Sequence, residues 1–354
     1  MRIVITGASG NVGTALLRRL VEEGQHEIVG VVRRPPASGE PYGDVEWSTV
    51  DLTRDEGSSL VDACRRADAI VHLAWGFQPS HREDYLRELG VGGTRRVIEA
   101  ATEAEVPHLV HMSSVGAYSP KRDDEPVDER WPTLGVPTSM YSRHKAAAER
   151  LLDRLERERP DVVVTRMRPG IVGQRGAGSA LLRYGLPAIV PSALLSHVPV
   201  VPLDRRLAIP MVHADDVADA IARVIQDQAP GAFNLAAAPA ITAEHIAGTL
   251  GARLVHVPSA AVRAAVSASW HVRVQPLDPG WIDMAYALPL LDSTRALSEL
   301  GWSPSTDALS TLAETVAGMQ EQASERSPVL RPRTVAGALV RAFRMGPVSS
   351  RREP

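Results

Sequence analysis

The chain has 354 residues, of which 44% are hydrophobic and 23% charged, and its formal net charge is −3. These values are ordinary for a globular protein of one or two domains, and the charge gives no reason to expect a nucleic-acid partner. The single Cys64 excludes an internal disulfide and a cysteine-based metal site. No apolar run reaches the roughly 18 residues of a membrane span, so we expect a cytoplasmic protein with no membrane span. No cluster of metal-ligand residues is visible in the sequence, so we expect no metal.

The first 32 residues predict a strand, a glycine-containing turn, a helix and a second strand. The two strands are the β-branched runs Arg2–Thr6 and Glu27–Val32. Glycines in such a turn let the backbone approach a pyrophosphate, and the first N–H groups of the helix can bind it. The pattern therefore predicts a dinucleotide site, with a purely structural turn as the alternative. The expected binding residues are Gly7, Ser9, Gly10, Asn11, Val12 and Gly13.

Two basic residues, Arg33 and Arg34, follow the second predicted strand. A site selective for NAD usually places an acid here for the ribose 2′-hydroxyl, whereas an arginine can bind the 2′-phosphate of NADP. We expect NADP in preference to NAD, with Arg33 as the phosphate ligand; two exposed arginines in a proline-rich loop are the alternative. Asp51, followed by Leu52, either accepts a hydrogen bond from the adenine amino group or caps the next helix.

Strands and helices alternate through the first 170 residues. This alternation predicts an α/β fold, a Rossmann-type doubly wound parallel sheet that binds ligands at the carboxyl ends of its strands. The glycine turn, Leu73-Ala74 and Ser113-Ser114 all fall at such ends. We expect a Rossmann domain at residues 1–170, rejoined by residues 211–236. Residues 171–210 and 237–324 are expected to form a smaller C-terminal substrate-binding lobe.

The last thirty residues, 325–354, contain seven Arg against two Glu. Residues 335–345 could form a short amphipathic helix for a membrane surface or a partner. We expect instead a basic tail that is loosely ordered or docked at an edge of the fold.

Tyr141 and Lys145 lie four residues apart in a strong helix-forming sequence. Residues at i and i+4 share one face of a helix, so the phenol and the ammonium can address one small volume. A nearby cation favours the phenolate and lowers the pKa of a tyrosine, which would make the pair a general acid/base. A chance pair on a solvated face is the alternative.

Taken together, these motifs resemble the short-chain dehydrogenase/reductase superfamily, in its extended, epimerase/dehydratase-like branch. The resemblance covers about residues 1–310 in family order. The matching segments are Thr6 to Gly13, Asp51-Leu52, His72 to Ala74, Ser113-Ser114, Tyr141 with Lys145, Arg168 to Gly170, His213 to Val217, and Leu300 to Trp302 with Pro304.

The resemblance implies a catalytic set of Ser114, Tyr141 and Lys145. Tyr141 would exchange a proton with the substrate oxygen, which Ser114 would also hydrogen-bond. Lys145 would lower the pKa of Tyr141 and contact the nicotinamide ribose. Pro169, with the following glycine, would lie beside the nicotinamide ring, and Leu73 and Ala74 belong to the cofactor site.

Three departures from the family pattern bear on the reaction. Gly90 stands where relatives often carry an Asn that serves a proton relay. Val115-Gly116 replaces the Asp-Glu of sugar-nucleotide dehydratases, and Arg168-Pro169-Gly170-Ile171 replaces the Arg-Tyr-Phe-Asn of many epimerases.

We therefore expect an NAD(P)-dependent oxidoreductase that acts on the ketone or aldehyde of a small to mid-sized, fairly apolar metabolite. An NAD(P)-dependent epimerase of a sugar-like substrate is one alternative, and a non-catalytic NADP-binding regulator is another. The expected partner is a small-molecule substrate, and the expected state is a monomer or homodimer.

Overall fold

The structure is a computed structural model that describes residues 1–54, 58–76, 81–185, 195, 197–273, 275 and 277–332. None of the helices in these ranges combines the length and the apolar character that crossing a membrane requires. The expected amphipathic helix at residues 335–345 lies outside the described residues.

A seven-stranded, fully parallel sheet forms the centre of the fold. Its strands are β1 (Arg2–Thr6), β2 (Glu27–Val32), β3 (Glu46–Thr49), β4 (Ala69–His72), β5 (His108–Met112), β6 (Val163–Pro169) and β10 (Gly231–Leu235). The spatial order is β3-β2-β1-β4-β5-β6-β10, so the order reverses between β1 and β4. In such sheets ligands bind outside the carboxyl ends of the strands at this switch point.

Helices cover both faces of the sheet, and β1 shows why both faces are apolar. Ile3 and Ile5 join the core cluster formed with α1 (Asn11–Glu23) and α7 (Ala214–Asp227). Val4 points to the opposite face and joins the cluster formed with α2 (Ser58–Cys64), α4 (Gly93–Glu103) and α5 (Met140–Glu158). Since successive side chains of a strand alternate in direction, a strand buried on both sides must be apolar throughout.

The remaining elements lie mostly in the C-terminal half. A three-stranded sheet joins β7 (Ile171–Gly173), β9 (Ala208–His213) and β11 (Ala237–Thr242), and a two-stranded sheet joins β8 (Val200–Leu203) and β12 (Arg253–His256). The other helices are α3 (Glu83–Arg87), α6 (Gly178–Gly185), α8 (Ala243–Thr249), α9 (Ser259–His271), α10 (Pro279–Ala287), α11 (Thr294–Leu300) and α12 (Ala308–Gln320).

The predicted α/β class and the parallel, doubly wound sheet are confirmed, and the predicted strands Arg2–Thr6 and Glu27–Val32 have the observed bounds. A π-helical turn at Glu88–Gly92 separates α3 from α4. The division into a Rossmann domain and a substrate lobe stays a prediction.

Residues 325–332 are docked against the fold. Ser327 is 2% exposed and Leu330 is 1% exposed, and the Ser327 hydroxyl donates a hydrogen bond of 2.6 Å to the carbonyl of Ser9. Arg326 accepts a hydrogen bond from the backbone of Ala37 through its carbonyl oxygen. This part of the basic tail therefore packs on the glycine turn, and residues 333–354 lie outside the described residues.

Candidate active site

The glycine turn and the end of β4 are in direct backbone contact. Gly7 has a φ of +71°, and a Cβ built on it would lie 2.7 Å from the nitrogen of Ala74. A Cβ on Gly13 would lie 2.5 Å from the carbonyl oxygens of Gly7 and Ala8. Side chains are excluded at both positions, so the turn is as tight as a pyrophosphate-binding loop requires.

The turn leads into α1, which begins without a side-chain cap because its N-cap residue is Gly10. Its first turn also carries no acidic residue, so the N–H groups and the positive end of the helix dipole are not neutralised locally. These are the properties of an anion site for a dinucleotide pyrophosphate. The observed cradle therefore fits the cofactor that the motif predicts.

Three of the predicted cofactor residues also make contacts within the protein. The side chain of Asn11 donates to the carbonyl of Val172 at 3.1 Å and accepts from Gln174 at 2.7 Å. Its amide therefore fixes α1 to the segment after β6. Ser9 is buried and held by Ser327, as described above, while Val12 packs against the core.

Arg33 leaves β2 at the same edge of the sheet and is half-buried. Its guanidinium donates a hydrogen bond of 2.8 Å to the hydroxyl of Tyr85. Burial, followed by the charges of Arg33 and Arg331, lowers the pKa of Arg34. Three cations thus share this corner, and no motif in the sequence indicates that Arg331 belongs to it.

Asp51 closes a local turn. One carboxylate oxygen accepts from the backbone N–H of Thr53 at 2.9 Å and from its hydroxyl at 2.7 Å. Leu52 is buried, and its carbonyl accepts from Arg96 at 3.0 Å. Leu73 donates its backbone N–H to the carbonyl of Thr6 at 3.0 Å, which fixes the end of β4 beside the glycine turn.

Ser114, Tyr141 and Lys145 meet at the carboxyl ends of β5 and β6. The hydroxyl of Ser114 is hydrogen-bonded to that of Tyr141 and accepts the N–H of Gly116 at 3.0 Å. The ammonium of Lys145 donates to the carbonyl of Met112 at 2.7 Å and lies 6.0 Å from the ring centroid of Tyr141. The i,i+4 spacing on α5 thus brings the phenol and the ammonium into one volume.

Burial controls the protonation of this group. It raises the pKa of Tyr141 to about 12, although the hydrogen bond from Ser114 acts in the opposite direction. It also lowers the pKa of Lys145 well below its ordinary value, against the favourable charge of Glu149. Burial is the largest influence on the pKa of Tyr141 in this structure, and the expected lowering of that pKa by Lys145 stays a prediction.

Gly116 makes the meeting of Ser114 and Tyr141 possible, a role that the comparison with the dehydratase motif does not indicate. A Cβ at Gly116 would lie 2.8 Å from Cε1 of the Tyr141 ring and 3.3 Å from Oγ of Ser114. Ser142 fastens the same turn to α5, since its hydroxyl donates to the carbonyl of Gly116 and accepts from the N–H of Val136. The glycine after Ser114 is therefore required by packing against the tyrosine.

Two indoles flank Tyr141. Trp281 of α10 lies with its ring centroid 5.3 Å from that of Tyr141, and Trp75 approaches edge-on at 6.4 Å. Tyr141, Trp281 and Trp131 pack against an apolar cluster that includes Met284. The surroundings of the phenol are therefore largely aromatic and apolar.

Glu149, one turn beyond Lys145 on α5, anchors a buried ionic network. Arg168 contacts both of its carboxylate oxygens at 2.9 Å, Arg166 lies 3.0 Å from Oε2, and Ser113 donates at 2.5 Å. Burial opposes ionisation of Glu149, yet these partners hold its pKa below the ordinary value. Ser113 thus faces the core, and the network fixes α5 on β5 and β6.

Two buried histidines have structural roles. Burial, with the charge of Lys145, lowers the pKa of His72 to about 3, and the ring bridges the hydroxyls of Thr6 and Thr94. His213 caps α7 by accepting the N–H of Asp215 at 3.1 Å. Pro169 is buried at the end of β6. In the described ranges, no three potential ligand side chains converge on a metal site.

The sheet order, the glycine turn and the Ser114–Tyr141–Lys145 group define a member of the extended branch of the short-chain dehydrogenase/reductase superfamily. The sequence model of the NAD dependent epimerase/dehydratase family matches residues 3–236, and the chain belongs to this family.

Related proteins differ in their named activities. An uncharacterized epimerase/dehydratase of Staphylococcus haemolyticus is 30% identical over 155 residues, which are 42% of this chain and 47% of that protein. The sterol-4-alpha-carboxylate 3-dehydrogenase, decarboxylating, of Saccharomyces cerevisiae is 28% identical over 52% of this chain and 54% of its own length. The UDP-glucose 4-epimerase of Mycolicibacterium smegmatis is 28% identical over 89% of this chain and 97% of its own length. The chain thus spans less than two thirds of several relatives, including 29% of an uncharacterized protein of Mycobacterium tuberculosis.

Solved structures share the fold. The UDP-glucose 4-epimerase of Thermus thermophilus, in complex with NAD, matches 90% of this chain and 99% of its own with a TM-score of 0.67 at 22% identity. MoeE5, in complex with UDP-glucuronic acid and NAD, matches 91% of this chain and 99% of its own with a TM-score of 0.69 at 22% identity.

Proposed function

We propose that the chain is an NADP-dependent oxidoreductase that reduces the carbonyl group of a small to mid-sized, fairly apolar ketone or aldehyde, or oxidises the matching alcohol. One observation carries the proposal: the hydroxyl of Tyr141 is hydrogen-bonded to the buried Ser114, and its ring lies 6.0 Å from the ammonium of the buried Lys145, at the carboxyl edge of the sheet. This edge also carries the glycine cradle at the switch point.

The proposed roles follow from protonation and position. The bound dinucleotide supplies the hydride, while the protein orients the reactants and moves the proton. With its pKa raised to about 12, Tyr141 is a neutral phenol near pH 7 and can donate its proton to a carbonyl oxygen. Ser114 donates a hydrogen bond to the same oxygen and so polarises it.

The apolar character proposed for the substrate rests on the residues around the phenol. Trp281 and Trp75 flank the ring, and Met284 and Leu288 of the α10 region continue the apolar surface. A pocket with such walls and a few polar groups binds an apolar body and orients one oxygen.

The preference for NADP rests on the cationic corner after β2. Arg33 is oriented by Tyr85, and Arg34 is repelled by both Arg33 and Arg331. A group of guanidiniums favours an anionic ligand, and a phosphate monoester matches their hydrogen-bonding geometry.

The first experiment screens carbonyl compounds for NADPH consumption at 340 nm. Tyr141→Phe removes the proton donor and should lower kcat about 10²- to 10⁴-fold, while cofactor affinity changes little. Tyr286→Phe, which removes a hydroxyl that accepts from the backbone N–H of Asp204, is the matched control and should keep activity. Full activity of Tyr141→Phe on a substrate found in the screen would remove Tyr141 from the mechanism.

An epimerase is the second candidate, favoured by the match to the UDP-glucose 4-epimerase of M. smegmatis along 89% of this chain. Cofactor stoichiometry separates the two functions. A reductase consumes one NADPH per product, whereas an epimerase returns the hydride and leaves the cofactor unchanged. Product formation without net NADPH consumption would therefore favour the epimerase.

The cofactor preference is tested separately by calorimetric titration. Arg33→Ala should raise the Kd for NADP at least tenfold and change the Kd for NAD by less than about twofold, since only NADP carries the 2′-phosphate. The exposed Arg65→Ala serves as the control and should change neither Kd. Equal effects of Arg33→Ala on the two cofactors would contradict the assigned role.

A further inference from the structure

The ammonium of Lys145 lies against the face of an indole. Its Nζ is 3.5 Å from the ring centroid of Trp75, and the whole lysine is 2% exposed. The carbonyl of Met112 accepts a hydrogen bond from the same Nζ at 2.7 Å. A buried cation over an aromatic face is held by the ring quadrupole, and the interaction strengthens as water is removed.

The indole itself is seated on Gly90. A Cβ built on Gly90 would lie 3.0, 3.1 and 3.2 Å from Cζ2, Cη2 and Cε2 of Trp75. Gly90 belongs to the π-helical turn Glu88–Gly92, and its carbonyl accepts a hydrogen bond of 2.7 Å from Thr94. Bare backbone in a widened turn thus provides the space that the six-membered ring fills, and π turns occur often at functional sites.

We propose that Trp75 is a positioning residue that holds Lys145 in place through its indole face, and that Gly90 is required because it seats this indole. The inference extends the proposed function, since it assigns a support to the lysine of the proposed catalytic group. It also accounts for the glycine at position 90: the indole occupies the side where a longer side chain would otherwise stand.

Other groups around Lys145 contribute to its charge. Tyr141 and Glu149 face it from its own helix, and His72 and His111 face it from β4 and β5. Glu149 favours the ammonium, whereas the two imidazoles are neutral because of burial. Of these neighbours, none replaces the indole face, so loss of Trp75 is expected to change both the access to Lys145 and its pKa.

The lysine content of the chain makes a direct test possible. Lys145 and Lys121 are its two lysines. Competitive acetylation with acetic anhydride, followed by mass spectrometry of the two lysine peptides, measures the reactivity of Lys145 against Lys121 as an internal reference. The reagent acetylates the neutral amine, so a pH series gives the pKa of each lysine, and neither cofactor nor substrate is needed.

Trp75→Leu should raise the acetylation of Lys145 relative to Lys121 at least fivefold. The pKa of Lys145 should fall relative to the wild type, as the loss of a desolvated cation–π contact implies. Trp75→Phe keeps an aromatic face and should recover most of the difference. Equal changes in the Leu and Phe variants would show a purely structural role and overturn the proposal, as would unchanged labelling in both.

Trp47 provides a matched control, because it is also an indole seated on a glycine. A Cβ on Gly30 would lie 2.7 Å from Cε3 of Trp47, far along the sheet at β2 and β3. Trp47→Leu should leave the labelling ratio unchanged. If it raised the ratio as much as Trp75→Leu does, general loosening of the fold would explain the result and the proposal would fail.

The role of Gly90 is tested by a double-mutant cycle. Gly90→Ala should raise the labelling of Lys145 because the added methyl displaces the indole, but should add nothing in the Trp75→Leu background. Additive effects would mean that the alanine distorts the helix by itself, which would refute the seating of Trp75 on Gly90. Since turnover is not measured, failure here is distinguishable from failure of the proposed oxidoreductase activity in the NADPH screen.

Discussion

The buried network around Glu149 allows a quantitative prediction for Glu149→Gln. The wild-type carboxylate is 1% exposed and contacts Arg168 through two hydrogen bonds and Arg166 at 3.0 Å. Glutamine keeps the shape but removes the charge. Among the described residues, Glu149 is the one carboxylate that pairs directly with Arg168, whereas Arg166 keeps Asp153 and Glu156.

Removing one partner of a buried ion pair costs about 3–5 kcal/mol, because the remaining charge stays buried and unpaired. Glu149→Gln should therefore lower the free energy of unfolding at pH 7 by about 3–5 kcal/mol. Asp153→Asn is the matched control: its carboxylate also pairs with Arg166, at 2.8 Å, but its side chain is 49% exposed. The cost there should be about 0–1 kcal/mol.

The stability difference between wild type and Glu149→Gln should also depend on pH in one direction. The pKa of Glu149 is lowered in the folded protein, so its stabilising contribution is fully present above the unfolded-state pKa of about 4.3 and is lost as the pH falls through the folded-state pKa. The difference between wild type and Glu149→Gln should be constant from about pH 5 to 7 and should shrink in more acidic solution.

The assay is guanidinium-induced unfolding, followed by circular dichroism, of wild type and both variants over a pH series. A cost for Glu149→Gln no greater than that for Asp153→Asn would refute the reasoning, because the buried carboxylate would then be no more important than the exposed one. A difference that widens at low pH would refute the assigned direction of the pKa.

Two further predictions concern the glycine turn. Gly7→Ala places a methyl group 2.7 Å from the nitrogen of Ala74 at a φ of +71°. It should lower the free energy of unfolding by about 2–4 kcal/mol and abolish dinucleotide binding. Gly24→Ala is the control: its φ is +65° with nothing within 4 Å, and the loss should be about 1 kcal/mol. Similar unfolding free energies for the two variants would contradict the close approach. Ser327→Ala should cost about 1–2 kcal/mol in chemical denaturation, since Ser327 donates to Ser9 and accepts from the N–H of Leu330. A cost below about 0.3 kcal/mol would mean that this contact does not hold the segment.

Much of the fold follows from local patterns in the sequence. β-Branched runs marked the central strands, because a parallel strand covered on both faces must be apolar. The glycine turn and the i,i+4 pair of Tyr141 and Lys145 depend on residues close in sequence, so their spacing alone suggested their placement. Ser114 was identified through the family resemblance, and its bond to Tyr141 is present in the structure.

The features that sequence analysis missed depend on contacts between distant residues. Trp75 meets Lys145 across seventy positions, and no periodicity links them. Gly116 was interpreted by what it lacks, whereas the Tyr141 ring that requires it comes from another helix. The burial that raises the pKa of Tyr141 is likewise a property of the folded chain, and no local pattern in the sequence indicates it.

The hydrogen bond between Ser327 and Ser9 has a consequence for the order of assembly. These residues are 318 positions apart, so the glycine turn acquires this contact only after residue 327 has left the ribosome. At about 5–20 residues per second, synthesis of that span takes tens of seconds, which is long compared with the formation of local helices and strands. The glycine turn therefore leaves the ribosome well before the segment that packs on it.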